Sequence, residues 1–150
     1  VKFSSDQDVS SFYIFDRKAK TFTFLFSPQP KLANYVFSPK HFVEIKSRDG
    51  LTLPSYITLP EGRSLEDVQK FEKKGPLVVV VHGGPWARDG WGLDGLSQWL
   101  ANRGYVVLQV NFRGSTGFGK SFLKASFGEW GNKMHEDILD GDRVTRYRLT

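Results

Sequence analysis

The sequence predicts an α/β fold with a parallel sheet, because two buried-type strands flank the pattern of a helix. Leu77 to Val81 (LVVVV) is a continuous apolar run, which is typical of a strand covered on both faces. Tyr105 to Val110 (YVVLQV) is a second strand of this kind. Between them lies a helical leucine stripe closed by a glycine: Leu93, Leu96, Leu100 and Gly104. Ligand chemistry is expected in the loops after the two strands.

Two β-hairpins are predicted ahead of this unit. Ser11 to Asp16 and Thr21 to Phe26 are aromatic, β-rich runs joined by the charged residues 17–20. A lone hairpin is marginal in water, so we expect this one to belong to a larger sheet. A proline-rich stretch over 28–39 then indicates a linker.

The second hairpin is predicted at His41 to Ser47 and Leu51 to Leu59, because Arg48-Asp49-Gly50 lies between them. Proline cannot donate to a strand ladder, so Pro54 is expected to place the second strand at an edge or a bulge. A short connector helix is predicted from a capping serine, an apolar spacing of three and a closing glycine: Ser64, Leu65, Val68, Phe71 and Gly75.

Composition narrows the classes of function. The 150 residues have a net charge of +5, but the basic residues are spread along the chain without a recognition motif, so nucleic-acid binding is not expected. Neither a signal peptide nor a membrane span is predicted. The absence of cysteine excludes disulfides, a thiol nucleophile and a thiolate metal site. The compartment is left open, with the cytoplasm preferred.

The first glycine-rich loop, His82-Gly83-Gly84-Pro85-Trp86, directly follows the first buried-type strand. Adjacent glycines leave no side chain over the backbone, so an N–H there can approach a substrate oxygen, as an oxyanion hole requires. A simple Gly-Gly-Pro turn that leaves the sheet fits the pentapeptide equally well.

The second loop, Gly114 to Ser121, fits the phosphate-binding pattern G-x-x-x-x-G-K-[ST], with Lys120 for the phosphates and Ser121 for magnesium. However, the helix pattern after it is soon interrupted by Gly128 and Gly131. No long apolar strand presents the later aspartates for metal binding: Asp137, Asp140 and Asp142. Nucleotide binding is kept as an alternative.

Four sequence blocks, taken in order, resemble the prolyl oligopeptidase family of serine peptidases, and within it the acylaminoacyl-peptidase and dipeptidyl-peptidase-like bacterial members. They are Ile45 to Pro60, Val78 to Asp89, Ala101 to Gly119 and Gly128 to Gly141. The resemblance implies that residues 41–150 are a partial α/β-hydrolase, the N-terminal half of its sheet. It also implies that residues 1–40 are a linker and a β-hairpin remnant of the last β-propeller blade.

The same resemblance implies a peptidase that cleaves short peptides by Ser-His-Asp acyl transfer and needs no cofactor. It makes the Gly84 N–H one oxyanion donor, supported by its neighbours in the loop: His82, Gly83, Pro85 and Trp86. It also makes Arg113-Gly114-Ser115-Thr116-Gly117 a structural turn, so that the phosphate pattern becomes a coincidence.

The residues that would perform catalysis are not found. The nucleophile elbow G-x-S-x-G does not occur in the 150 residues, and the triad Asp and His follow that elbow in chain order. Neither His41 nor His135 is therefore predicted to be catalytic, and no metal is expected.

After Gly141 the sequence is interpreted as leaving the family's pattern. We expect a peptidase fragment truncated before the nucleophile and inactive alone, whose peptide substrate belongs to the intact parent. It would self-associate through exposed sheet edges. A non-enzymatic interaction fragment is the remaining alternative.

Overall fold

The computed structural model describes residues 1–66 and 75–149, which form two β-sheets with helices around the second. The N-terminal sheet is antiparallel, in the order β1 (Lys2–Phe3), β2 (Ser11–Asp16), β3 (Thr21–Phe26). The second sheet has the spatial order β4–β5–β7–β6, formed by β4 (Lys40–Lys46), β5 (Thr52–Thr58), β6 (Leu77–Val80) and β7 (Val106–Val110). The helices with complete bounds are α1 (Gly95–Ala101), α2 (Lys120–Lys124) and α3 (Lys133–Leu149).

Two connecting segments complete the description. A 3-10 turn at Pro30–Leu32 lies in the linker between the sheets. Leu65 and Glu66 are helical, and the rest of the predicted connector helix, at 67–74, lies outside the described residues. In the part of the chain that the structure describes, no helix combines the length and the apolarity needed to span a bilayer.

The predicted N-terminal hairpin is confirmed, and the short strand β1 extends it. β2 and β3 pair up to Asp16, which lies opposite Thr21. The turn closes because the Asp16 carboxylate accepts the N–H groups of Lys18 and Ala19 at 2.7 and 2.9 Å. Every residue of β3 is exposed, including its aromatic side chains. Within the described residues this sheet therefore leaves much apolar surface in solvent.

The second hairpin is also confirmed, but Pro54 does not put β5 at an edge. β5 lies between β4 and β7. Its ladder with β7 begins at Ser55, opposite Val110, so Pro54 falls one residue beyond it. There the Pro54 carbonyl accepts the Asn111 N–H at 3.2 Å. The proline is tolerated inside the sheet because its missing N–H faces a position where the neighbouring strand has ended.

β6 and β7 pair in parallel, as the strand-helix-strand pattern predicted, but β5 pairs antiparallel with both β4 and β7, so the sheet is mixed rather than parallel throughout. β7 is buried along its whole length, with β5 on one side and β6 on the other. The expectation that Leu77 to Val81 is covered on both faces is wrong. β6 is an outer strand of the described sheet, its residues are half-buried, and Val81 lies beyond its end and is exposed.

α1 packs through a different face from the one that the leucines predicted. It begins at Asp94, whose carboxylate accepts the Ser97 N–H at 2.8 Å. Leu96 is 51% exposed, whereas Ser97 and Gln98 are buried. The Gln98 amide donates to the Ser38 carbonyl at 2.7 Å and accepts the Ser38 N–H at 2.9 Å. A polar helix face therefore binds the linker to the second sheet.

α3 continues well past Gly141, where the sequence analysis expected the pattern to end. A Cβ on Gly141 would lie 2.5 Å from a methyl carbon of Val110, so the helix approaches β7 through a glycine. Val144 packs against the core, and Thr145 is buried. The helix thus keeps an inward face beyond Gly141, and the expected break is wrong.

A buried ion pair joins the end of β7 to α3. Arg113 is 5% exposed and Asp137 is fully buried. The Arg113 Nε and Nη2 atoms donate to the two Asp137 carboxylate oxygens at 2.8 and 2.7 Å, and the Arg113 backbone N–H donates to the same carboxylate at 2.9 Å. The hydrogen bonds with Asp137 raise the pKa of the Arg113 guanidinium, so it stays charged despite burial.

The turn between β4 and β5 is held by the same network. Arg113 also makes two bonds of 2.9 Å to the Asp49 carboxylate, and these hydrogen bonds hold the pKa of Asp49 well below its usual range. The neighbouring Arg48 binds α3 through Asp140 at 2.9 Å and Glu136 at 3.0 Å. The loop after β7 and this turn are therefore fixed to one helix face.

We expect Asp137→Asn to lower the free energy of unfolding by about 3 kcal/mol, because it leaves the buried Arg113 charge without its main partner. The matched control is Asp142→Asn, which removes the exposed pair with Arg146 at 3.0 Å and should cost less than about 1 kcal/mol. Urea unfolding at neutral pH measures both. Equal, small losses in the two variants would contradict the stabilising role of the buried pair.

Candidate functional site

The candidate site is the loop after β6, where the five predicted residues lie in one continuous turn: His82, Gly83, Gly84, Pro85 and Trp86. It leaves the sheet at the carboxyl end of a strand that is parallel to β7. The second glycine-rich loop leaves the sheet at the same end, after β7. In α/β sheets this is the edge at which ligands bind.

Gly84 has the geometry of a backbone donor that only glycine can provide. Its φ is +128°, and a Cβ would lie 2.7 Å from the Trp86 nitrogen and 2.9 Å from the Ala87 nitrogen. The residue is exposed. Across residues 1–66 and 75–149, no acceptor takes the Gly84 N–H. This N–H is therefore available to a ligand oxygen.

His82 connects the two glycine-rich loops. Its ring stacks on Phe112 with centroids 4.5 Å apart. The ring Nε2 lies 2.9 Å from the Ser115 hydroxyl, and Nδ1 lies 2.9 Å from the Gly83 carbonyl oxygen. Ser115 is fully buried, and its hydroxyl is also 2.7 Å from the Phe112 carbonyl. The first loop is thus held by the start of the second.

Trp86 faces a second exposed tryptophan that the sequence analysis did not single out. The rings of Trp86 and Trp130 are edge to face, with centroids 6.1 Å apart. They are 56% and 64% exposed. Such a pair offers an apolar surface with polar edges, two residues from the Gly84 donor.

The second loop does not have the geometry of a phosphate cradle. Its first N–H groups are already used: Gly114 donates to Phe122, Ser115 to Phe112 and Thr116 to Ala87, at 3.1, 3.0 and 2.9 Å. A phosphate cradle needs such N–H groups free. The helix after the loop, α2, has only five residues. The geometry does not support the nucleotide-binding alternative.

Asp89 anchors the far end of the first loop. Its N–H donates to the Asn111 side chain at 2.8 Å, and its carboxylate accepts from the Gln109 amide at 3.0 Å. The other Asp89 carboxylate oxygen and the Gln109 Oε1 are buried without a partner in the described residues. Burial raises the pKa of the Asp89 carboxyl, although the charges of His82 and Lys40 act to lower it.

The remaining histidines, His41 and His135, lie apart from the loop after β6. His135 is exposed on α3, and the acidic residues beside it, Glu136 and Asp137, are bound by Arg48 and Arg113. His41 is half-buried on β4. Within the ranges 1–66 and 75–149, no three His, Asp or Glu side chains group as metal ligands.

The prolyl oligopeptidase family model matches residues 91–146. Dipeptidyl aminopeptidase BIII of Pseudoxanthomonas mexicana is 53% identical over 140 residues, which cover 93% of this chain and 20% of that protein. The chain belongs to the prolyl oligopeptidase family. Dipeptidyl peptidase family member 6 of Caenorhabditis elegans is 40% identical over 154 residues, which cover 93% of this chain and 21% of that protein.

A solved structure gives the same picture of the fold. The acylaminoacyl peptidase of Pyrococcus horikoshii aligns with 95% of this chain and 22% of its own, with a TM-score of 0.73 and 24% identity. The chain spans about a fifth of the length of the curated relatives it matches. The resemblance seen in the sequence is confirmed, as is the partial α/β fold. The family match extends to residue 146, so the expectation that it ends at Gly141 is wrong.

The residues that support the loop after β6 were not predicted from the sequence. Arg113 and Ser115 were seen only as parts of a glycine-rich turn, and Asp137 only as a weak metal candidate. The available signal was that Arg113 follows a buried strand, where a charged side chain needs a partner. The partner itself lies 24 residues away and no local pattern indicates it.

We expect Asp89→Asn to stabilise the chain at neutral pH. Burial raises the pKa of the Asp89 carboxyl above its ordinary value of 3.8, so the folded state loses stability as the pH rises through the raised pKa and the group ionises. The asparagine amide does not ionise, so the variant avoids this loss of stability. Urea unfolding should show a higher midpoint than wild type at about pH 7, with a gap that closes near about pH 3.

Asp142→Asn is the control for Asp89→Asn and should gain no stability at neutral pH, because the Asp142 carboxylate is ion-paired with Arg146. A lower midpoint for Asp89→Asn at neutral pH would contradict this account, because it would show that the ionised carboxylate is stabilised in the fold.

Proposed function

We propose that this chain supplies the oxyanion side of the active site in a dipeptidyl-peptidase-like serine peptidase, with the Gly84 N–H as one donor. The observation that carries the proposal is that Gly84 is an exposed residue whose N–H is unbonded in the described residues, in a conformation where a side chain does not fit. The two relatives are a dipeptidyl aminopeptidase and a dipeptidyl peptidase family member, which supports the reaction class.

In acyl transfer the substrate carbonyl oxygen becomes negatively charged as the nucleophile attacks. A fixed N–H placed where this charge develops stabilises the transition state more than the ground state, and losing one such donor costs about 100- to 1,000-fold in kcat. His82, Gly83 and Pro85 would hold the loop, and Trp86 would border the bound peptide. The nucleophile, the general base and its aspartate would come from sequence beyond these 150 residues, so the chain alone would not cleave peptides.

The division into two units is part of the proposal. Residues 1–40 would be a linker and part of the last β-propeller blade, because the aromatic side chains of β3 are exposed and would be covered by further strands. Residues 41–150 would be the N-terminal part of an α/β-hydrolase domain. The contacts of Gln98 with Ser38 would join the two.

The test is the substitution Gly84→Ala in a longer polypeptide that contains this chain and has the length of the curated relatives. Hydrolysis of dipeptidyl p-nitroanilides should fall about 100-fold in kcat, because the added methyl displaces the donor. Gly95→Ala is the matched control, since Gly95 is exposed at the start of α1 with nothing within 4 Å of a Cβ. Full activity in Gly84→Ala would overturn the proposed role of the donor.

We also propose that the isolated chain self-associates. Phe22, Phe24 and Phe26 are about half exposed on β3, an outer strand of the described N-terminal sheet. Exposed apolar strands at an edge pair with other copies. Light scattering after size exclusion should give a mass well above 17.1 kDa, and Phe24→Lys should lower it. A monomer at micromolar concentration would contradict this proposal.

A further inference from the structure

We propose that Ser115 is a positioning residue for the Gly84 donor. Its hydroxyl holds the His82 ring, the ring Nδ1–H binds the Gly83 carbonyl, and this bond sets the direction of the Gly84 N–H. The inference rests on the proposed function of Gly84 and gives a role to the second glycine-rich loop, which the phosphate pattern had left without one.

The first step is the peptide plane between the two glycines. The Gly83–Gly84 bond is trans, so the Gly83 C=O and the Gly84 N–H lie in one plane and point in opposite directions. Glycine on both sides leaves this plane free to rotate at little cost. The contact of 2.9 Å between the His82 ring and the Gly83 oxygen therefore points the Gly84 N–H away from the ring.

The second step is the position of the proton on the ring. A carbonyl oxygen can only accept a hydrogen bond, so the His82 Nδ1 that faces Gly83 must carry the proton. In a neutral imidazole the other nitrogen, Nε2, is then an acceptor and needs a donor. The Ser115 hydroxyl lies 2.9 Å from Nε2 and 2.7 Å from the Phe112 carbonyl, and in our proposal it turns its single proton from that carbonyl to the neutral ring.

The third step is that a hydroxyl serves both charge states of the ring. When His82 is neutral, Ser115 donates to Nε2. When His82 is charged, Nε2 donates to Ser115, and the hydroxyl turns its proton to the Phe112 carbonyl at 2.7 Å. That carbonyl already accepts the Ser115 backbone N–H at 3.0 Å, so it is satisfied in either case. In both states Nδ1–H stays on Gly83, and the donor keeps its direction.

Ser115 is held in place by the ion pair between Arg113 and Asp137. It lies two residues after Arg113, whose backbone and side chain bind Asp137, and it has no exposed surface. Phe112 stacks on the ring from the same turn. Phe112 thus contacts one face of the His82 ring, and Ser115 contacts its Nε2. The remaining ring nitrogen, Nδ1, contacts the Gly83 carbonyl in the oxyanion loop.

The first test is NMR of the chain carrying Phe24→Lys and labelled with ¹⁵N-histidine, because this substitution is expected to reduce the self-association of the isolated chain. The sequence has three histidines, and His82→Gln identifies the His82 signals. At about pH 8.5, where histidine is mainly neutral, His82 should show a protonated Nδ1 and an unprotonated Nε2. The exposed His135 is the reference in the same spectrum. A His82 ring protonated mainly at Nε2 would overturn the proposal.

Ser115→Ala should shift His82 toward a mixture of tautomers and move the Gly83 carbonyl and Gly84 amide signals, because Nε2 loses its donor. Ser115→Thr, which keeps a hydroxyl, should restore them. The backbone bond from Ser115 to Phe112 remains in both variants, and unchanged amide signals in β7 check that the fold is kept. If the alanine variant does not fold, His82→Phe replaces it, and unchanged Gly83 and Gly84 signals in either variant would overturn the proposal.

Kinetic measurements on the longer polypeptide, of the length of the curated relatives, test whether this geometry affects catalysis. Ser115→Ala should lower kcat about 10-fold with little change in KM, which is less than the loss of the donor itself, and Ser115→Thr should recover it. A lower kcat with unchanged His82 signals would overturn the positioning role. If Gly84→Ala is fully active while the NMR result is as expected, the proposed function fails and the hydrogen-bond relay stands.

Discussion

The ion pair between Arg113 and Asp137 is the interaction on which the rest of the described structure depends. It joins the end of the fully buried strand β7 to α3, and because both side chains are buried, each charge has to be met by a group of the protein rather than by water. Because Arg113 also binds Asp49, the β4–β5 turn is fixed at the same point. Three segments far apart in the sequence are thereby set relative to one another.

The ion pair between Arg113 and Asp137 is connected to the candidate site through the loops that follow β6 and β7. Arg113 fixes the turn after β7, Ser115 in that turn binds His82, and His82 binds the carbonyl next to the Gly84 donor. Asp89 holds the other end of the loop against Asn111. The glycines supply a backbone conformation that side chains would prevent, and the polar contacts select one orientation from those that glycine allows. The glycine-rich loop after β6 is therefore made rigid by the residues that contact it.

Much of the fold could be predicted because local sequence patterns indicate its strands and turns. Alternating apolar residues and an Asp-Gly turn located the second hairpin, and the two apolar runs located β6 and β7 in parallel. The errors came where tertiary contacts decide the outcome. Pro54 lies inside the sheet because β7 ends beside it, and α1 buries Gln98 rather than Leu96 because the linker offers matching backbone groups.

By itself, the sequence determined the strands, the glycine loops and membership of the prolyl oligopeptidase family, since each depends on residues close together or on blocks in order. Only the tertiary structure decided which polar groups meet. Ser115 binds His82 across 33 residues, Arg113 binds Asp137 across 24, and Arg48 binds Asp140 across 92. Periodicity reports which face of a strand or helix is apolar, but a buried polar group takes whichever partner the packed chain brings within about 3 Å.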